Sequence, residues 1–177
     1  MKKYLFLLLF ASMFAPAQQL RVDAETSFIT YEASHPVHDW SGTSNEVQGV
    51  MVLENDIPKR IAVVTPVSAF DSKNSNRDAH AVEVLEALLF PKVSFYSDEI
   101  TLDGDVLTLN GALKFHGLSL PLTAKANWIK QEDFWILEGV FDVQPSKFDI
   151  NLPSFMLVKM RDNLSISFRL ELRTFVP

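Results

Sequence analysis

The chain has 177 residues, with 16 Lys and Arg against 22 Asp and Glu, a net charge of −6, a pI near 5.2 and no cysteine. This acidic balance argues against nucleic acid as a partner, because phosphate binding needs a basic surface. The missing cysteine excludes disulfides, thiolate zinc sites, iron–sulfur clusters, a cysteine nucleophile and a lipid-modified N-terminal cysteine, and the length fits one domain.

The chain opens with Lys2 and Lys3, then the apolar run Tyr4 to Phe14, which is too short to span a bilayer. Ala15-Pro16-Ala17 supplies small residues at an A-x-A cleavage site. We read 1–17 as a signal peptide, cleaved after Ala17, and 18–177 as one exported domain, periplasmic or secreted. A short anchor that stays attached is the alternative. No later run approaches the roughly 20 apolar residues of a membrane helix, so no stable membrane insertion of the mature chain is expected. Loss of Lys2 and Lys3 makes the mature chain more acidic still, which suits solubility and resists adhesion to anionic membranes.

Strands dominate the rest of the chain. Candidates in chain order are Ser27 to Ala33, Glu46 to Leu53, Arg60 to Phe70, Lys92 to Ile100, Asp105 to Gly117, Leu118 to Lys130, Phe134 to Val143 and the stretch from Leu164. The last is the clearest. Leu164, Ile166, Phe168, Leu170 and Leu172 alternate with Ser165, Ser167, Arg169, Glu171 and Arg173, so period 2 sends the two sets to opposite faces. Asp103-Gly104 and Gln131-Glu132-Asp133 sit where hairpin turns belong. About eight strands at this spacing predict an all-β fold, an extended eight-stranded antiparallel barrel or a sandwich.

One stretch breaks the period. Arg77 to Leu89 carries Ala81, Val84, Leu85, Leu88 and Leu89 at helical spacing, which predicts one short helix over about 77–89. Ser75 with Asp78 has the form of a capping box, Asn76 is a rival N-cap, and Phe90-Pro91 ends the helix. A short helix between strands fits across one end of a barrel.

An eight-stranded barrel is either filled by side chains or just wide enough for one small ligand. Fourteen phenylalanines and three tryptophans suit both a filled core and an apolar-lined pocket. Recognisable catalytic motifs are absent from the sequence: no G-x-S-x-G, H-E-x-x-H, P-loop or G-x-G-x-x-G occurs, and six glycines make a phosphate cradle unpromising. His35 and His38 have H-x-x-H spacing. On one continuous strand they point to opposite faces and do not converge, so a polar loop beside Trp40 is favoured over a metal site. His80 in the helix and His116 at a turn are each alone in sequence.

The stretch Phe70-Asp71-Ser72-Lys73-Asn74-Ser75-Asn76-Arg77-Asp78-Ala79-His80 is polar and charge-balanced. As a capping loop, its Asp71 and Asn74 satisfy backbone donors and Arg77 pairs with Asp71 or Asp78. Direct ligand contact is the other reading. The same stretch resembles the central F-D-S-G-N-x-x-R-D-x-H motif of the YceI-like family of exported, lipocalin-like lipid-binding proteins. Pro91-Lys92-Val93-Ser94-Phe95 comes next in register, and Gly111, Leu113, His116, Gly117 and Pro121 match a second motif, G-x-L-x-x-H-G-x-x-x-P. Gly49-Val50-Met51-Val52 fits the family's early glycine-flanked strand. Lys73 replaces the motif glycine, and Pro145-Ser146-Lys147-Phe148-Asp149 stands where many members have R-S-D-F-G.

The resemblance implies an antiparallel barrel that holds a long apolar chain, a polyisoprenoid such as an isoprenoid quinone or prenyl phosphate, without catalysis; from the residues themselves no metal and no cofactor are expected. On that reading Leu164, Ile166, Phe168, Leu170 and Leu172 line the lumen, joined by Phe28, Phe70, Phe95, Phe115, Trp128 and Phe141. Trp40, Arg77 and His80 are candidates for a headgroup at the mouth. The competing reading is a non-carrier: a packed barrel acting through a protein partner, or an enzyme on a hydrophobic substrate using His80 and His116. A homodimer remains open on either reading.

Overall fold

The structure, a computed structural model, describes residues 18–155 and 157–175. The expected signal peptide lies outside the described residues. The strands are β1 (Gln18–Val22), β2 (Phe28–His35), β3 (His38–Ser44), β4 (Gln48–Glu54), β5 (Ile57–Pro66), β6 (Lys92–Asp103), β7 (Val106–Phe115), β8 (Leu118–Lys130), β9 (Phe134–Val143), a two-residue pair β10 (Ser154–Phe155) and β11 (Val158–Lys159), and β12 (Leu164–Thr174). Helix α1 (Ser75–Val84) lies between β5 and β6.

Eight strands close the barrel in the order β1-β4-β5-β6-β7-β8-β9-β12, all antiparallel, with β12 returning to β1. Leu20 sits at the seam, opposite Met51 on one side and Thr174 on the other. β2 continues along the same edge of β12, where Phe28 to Ala33 pair with Arg169 to Leu164, and β3 pairs in turn with β2. The break between β1 and β2 is held by the backbone of Glu171, whose N–H donates to Ser27 Oγ at 2.9 Å and whose carbonyl accepts from Asp23 N–H at 2.8 Å. Between β3 and β5 the join is made by side chains: the buried hydroxyls of Ser44 and Thr65 are 2.8 Å apart.

The helix differs from its sequence expectation at both ends. Asn74, rather than Ser75 or Asn76, is the N-cap, and its Oδ1 accepts from Arg77 N–H at 3.2 Å. The helix ends at Val84 and the next turn is irregular, with Glu86 at φ 45°. Leu88 and Leu89, expected on the buried face, are 98% and 70% exposed. The cause is local: Phe90 turns onto the His116 ring (centroids 4.7 Å) and leaves the two leucines outside.

Among the described residues the interior has two apolar clusters. One fills the end of the barrel beneath the β4–β5, β6–β7 and β8–β9 turns and includes Leu20, Met51, Leu53, Leu107, Trp128 and Leu172. The other gathers Val67, Leu113, Phe115, Val143, Phe148 and Ile150 beneath α1 and the loop after β9. They do not merge into one filled core.

Candidate functional site

Between the two clusters lies a cavity of about 260 Å³. This is just under the usual range for small-ligand pockets, about 300–1,000 Å³, and well above an ordinary packing void. Strand alternation makes its wall apolar. On β12, Leu164, Ile166, Phe168 and Leu170 face it while the serines and Arg169 between them face outward. Leu164, Ile166 and Phe168 are only half-buried although they point into the barrel, because they border empty space; Leu170, further down, is 2% exposed.

Small residues make the hollow. Ala33 and Ala124 line it, and Gly111 and Gly139 share the inward faces of β7 and β9. A Cβ on Gly111 would lie 2.7 Å from Phe95 Cζ, and one on Gly139 would lie 3.0 Å from Phe168 Cζ. The glycines therefore let both rings lie back against the wall. Large side chains fill the far end instead, where Trp128 stacks on Trp135 at 6.2 Å between centroids and 16° between planes.

Of the residues expected in the lumen, Phe70, Phe95, Phe115, Phe141, Leu164, Ile166, Phe168 and Leu170 line the cavity. Three do not. Phe28 is on the outer face, one position out of phase, since Ile29, Tyr31 and Ala33 are the inward residues of β2. Polar Thr30 and Glu32 on the phase of Phe28 carry that signal in the sequence. Trp128 and Leu172 point inward but are packed in the floor beneath the cavity. Tyr31, Val63, Val93, Leu122 and Met160 also line the wall, and the sequence reading does not single them out.

Trp40, Arg77 and His80 all reach the cavity, together with Asp78 and Tyr31. The Arg77 guanidinium stands over the Trp40 ring at 5.8 Å, in place of the expected ion pair with Asp71 or Asp78. Asp78 instead accepts from Ser72 N–H at 3.1 Å. Burial, reinforced by the Asp78 carboxylate, pushes the Tyr31 phenol above its usual range, with Arg77 opposing. Its ring packs on Phe70 at 5.7 Å, so a polar tip is held at the margin of an apolar chamber.

Lys73 and Asp149, which stand where the family motifs have glycine, keep glycine-like backbone at φ 62° and 56°. Asp71 supports the first turn. Its carboxylate accepts from Lys73 N–H and from Lys73 Nζ, each at 2.7 Å, and the ammonium, then the amide, hold its carboxyl below the usual aspartate range.

His116 faces away from the cavity. Its Nδ1 donates to the Phe148 carbonyl at 2.8 Å, and its Nε2 lies 2.9 Å from Glu86 Oε2. His80 is exposed at the mouth, with Nδ1 3.8 Å from Glu83 Oε2. The two histidines do not share a site. The expectation for His35 and His38 also needs correction: they flank a two-residue hairpin and pair directly across β2 and β3, with ring centroids 5.9 Å apart. His35 Nδ1 accepts from Val37 N–H and Nε2 meets the Val158 carbonyl at 2.9 Å. Among the described residues there is no group of three His, Cys, Asp or Glu placed to hold a metal.

Comparison with known proteins agrees with this architecture. A YceI-like domain model matches residues 20–172. Protein YceI of Escherichia coli O157:H7 is 28% identical over 145 residues, covering 75% of this chain and 76% of that protein. Protein YceI of Salmonella newport is 27% identical over 133 residues, covering 71% of this chain and 70% of the relative. Among solved structures, Burkholderia cenocepacia BcnA superposes with a TM-score of 0.77 at 16% identity, over 85% of this chain and 98% of that one. A polyisoprenoid binding domain from Saccharophagus degradans gives 0.71 at 9% identity, over 90% and 100%.

Proposed function

This chain belongs to the YceI-like family, and we propose that it is a binding protein for a long apolar ligand of the polyisoprenoid or isoprenoid-quinone class, held in the barrel cavity. The observation that carries the reading is the hollow itself: about 260 Å³ walled by aliphatic and aromatic side chains. Each CH₂ group moved from water into such a wall contributes about 0.8 kcal/mol, so a prenyl chain is retained without specific polar contacts. The polar residues at the margin, Trp40, Arg77 and His80, would meet whatever polar end the ligand carries. The name of the Saccharophagus degradans domain, which has this fold, supports the ligand class.

We also propose that the chain is exported and acts as a carrier or scavenger rather than an enzyme. The N-terminal sequence supports export. The placement of His116, bonded to Phe148 and Glu86 outside the cavity, speaks against paired histidine chemistry on a substrate in the lumen. The hollow lumen likewise speaks against a packed barrel that works only through its surface. The test is uptake of an isoprenoid quinone from detergent micelles by the purified protein. Saturable uptake at one per chain is expected, and no uptake would remove the reading.

A further inference from the structure

We propose that the mouth end of the barrel docks reversibly on a lipid bilayer, so that ligand passes between membrane and cavity without crossing water; this rests on the lipid-binding function proposed for the cavity. Two observations point there. The first is apolar. Leu88 and Leu89 after α1, Val37 in the β2–β3 turn, Leu118 after the β7–β8 turn and Val158 near the β10–β11 hairpin are all exposed, Leu88 and Leu89 by 98% and 70%. The topology places these loops at one end, and hydrogen bonds tie them together: Arg161 N–H to the Ser34 carbonyl at 2.9 Å, His35 to Val158, and His116 to Glu86. Trp40, Arg77 and His80 open the cavity at this same end. Projecting leucine and valine tips around the opening of an apolar chamber are costly in water and are neutralised by insertion among lipid chains.

The second observation is the distribution of charge. The loops of the mouth end, 35–39, 67–92, 114–119 and 144–163, carry acidic and basic side chains in equal number. The turns of the opposite end hold Glu54, Asp56, Asp103, Asp105, Glu132 and Asp133 against Lys59, Lys130 and Arg173, with Lys130 4.0 Å from Asp56 and Arg173 paired with Phe134. The negative charge of the molecule is thus displaced away from the mouth, onto the barrel wall and the closed pole. An anionic bilayer repels that pole and not the other, so the chain approaches mouth first. Net acidity then orients the encounter instead of preventing it.

The experiment is flotation with phosphatidylethanolamine vesicles containing a minor share of phosphatidylglycerol. It uses protein purified from its host, with the same N-terminus in every variant. The parent is expected to float, and the double variant Leu88→Ser with Leu89→Ser to lose about tenfold or more in partitioning, since one leucine withdrawn from water is worth at least a decade in an equilibrium. Val37→Ser should act in the same direction. Leu102→Ser, an exposed leucine near the closed pole, should leave partitioning unchanged. A parent that stays off the vesicles, or a Leu88/Leu89 variant that floats like the parent, overturns the proposal. Quinone uptake from micelles, measured on the same samples, reads the cavity separately. Unchanged uptake in the tip variants shows the docking loss is not misfolding. A parent that floats through Leu88 and Leu89 but takes up nothing keeps the docking surface and overturns the ligand reading alone.

Discussion

Gly139 lies directly opposite Phe168 across the β9–β12 ladder, and a methyl group added to it would stand 3.0 Å from Phe168 Cζ. The relationship explains why a barrel domain with eleven phenylalanines in residues 18–177 is not full. The ring occupies the recess the glycine leaves, and the lumen in front of it stays open. Gly139→Ala should drive the ring forward and press the new methyl on the Lys125 carbonyl. Overpacking of this kind costs about 1–3 kcal/mol. Chemical denaturation should show that loss, and quinone uptake should fall with it.

Phe168 itself is half-buried and borders the cavity, whereas Leu170 two residues on is 2% exposed. Phe168→Asp should therefore leave a folded barrel, because water in the hollow can hydrate the charge, while abolishing uptake of an apolar chain. Circular dichroism and uptake measured together check this. Unchanged uptake in a folded variant removes Phe168 from the binding wall.

His116 ties three segments together: the turn after α1 through Glu86, the loop after β9 through the Phe148 carbonyl, and its own β7–β8 turn. His116→Ala strips a partner from a buried-side carbonyl and removes a ring packed on Phe90. A loss of about 2–3 kcal/mol in stability is expected, with ligand stoichiometry retained. Stability unchanged would show the three-way tie to be idle, and loss of stoichiometry in a folded variant would return His116 to the site.

Lys73 and Asp149 hold positive φ without being glycine. Lys73→Gly should raise the melting temperature or leave it unchanged, because the left-handed conformation no longer opposes a side chain, although an exposed ion pair is lost. Asp149→Gly should gain up to about 1 kcal/mol by the same reasoning. The pH dependence of the first turn comes from Asp71. Its carboxyl is held below the usual aspartate range by Lys73, so its contribution is present at neutral pH and is lost as the pH falls through that lowered value. Titration of the Asp71 carboxyl by NMR checks the direction, and Lys73→Ala should return it towards the ordinary range.

The barrel is legible in the sequence because alternation is a local signal. Leu164 to Arg173 announces its two faces without reference to any other strand, and β8 and β9 are bounded as the turn residues suggest. Strand phase misleads where one aromatic outweighs its neighbours: Phe28 has the bulk of a lumen residue, yet Thr30 and Glu32 mark its face as the outer one. The depth of a residue along the barrel is not legible at all. Trp128 shares an inward face with Ala124, but only the pairing of β8 with β9 shows that it meets Trp135 in the floor. The same holds for His35 and His38, whose opposition depends on a hairpin that the spacing alone does not reveal. The hollow depends on glycines that meet rings on neighbouring strands, Gly139 directly opposite Phe168 and Gly111 diagonal to Phe95, a property of register rather than of composition.

The central claim is that the cavity holds a long apolar chain. Native mass spectrometry of the protein taken from its own host, with solvent extraction of whatever accompanies it, tests that claim most directly. The account predicts one adduct per chain, released by solvent, with the fragmentation of a prenyl chain. A clean ligand-free mass, with no uptake when an isoprenoid quinone is added, would contradict it.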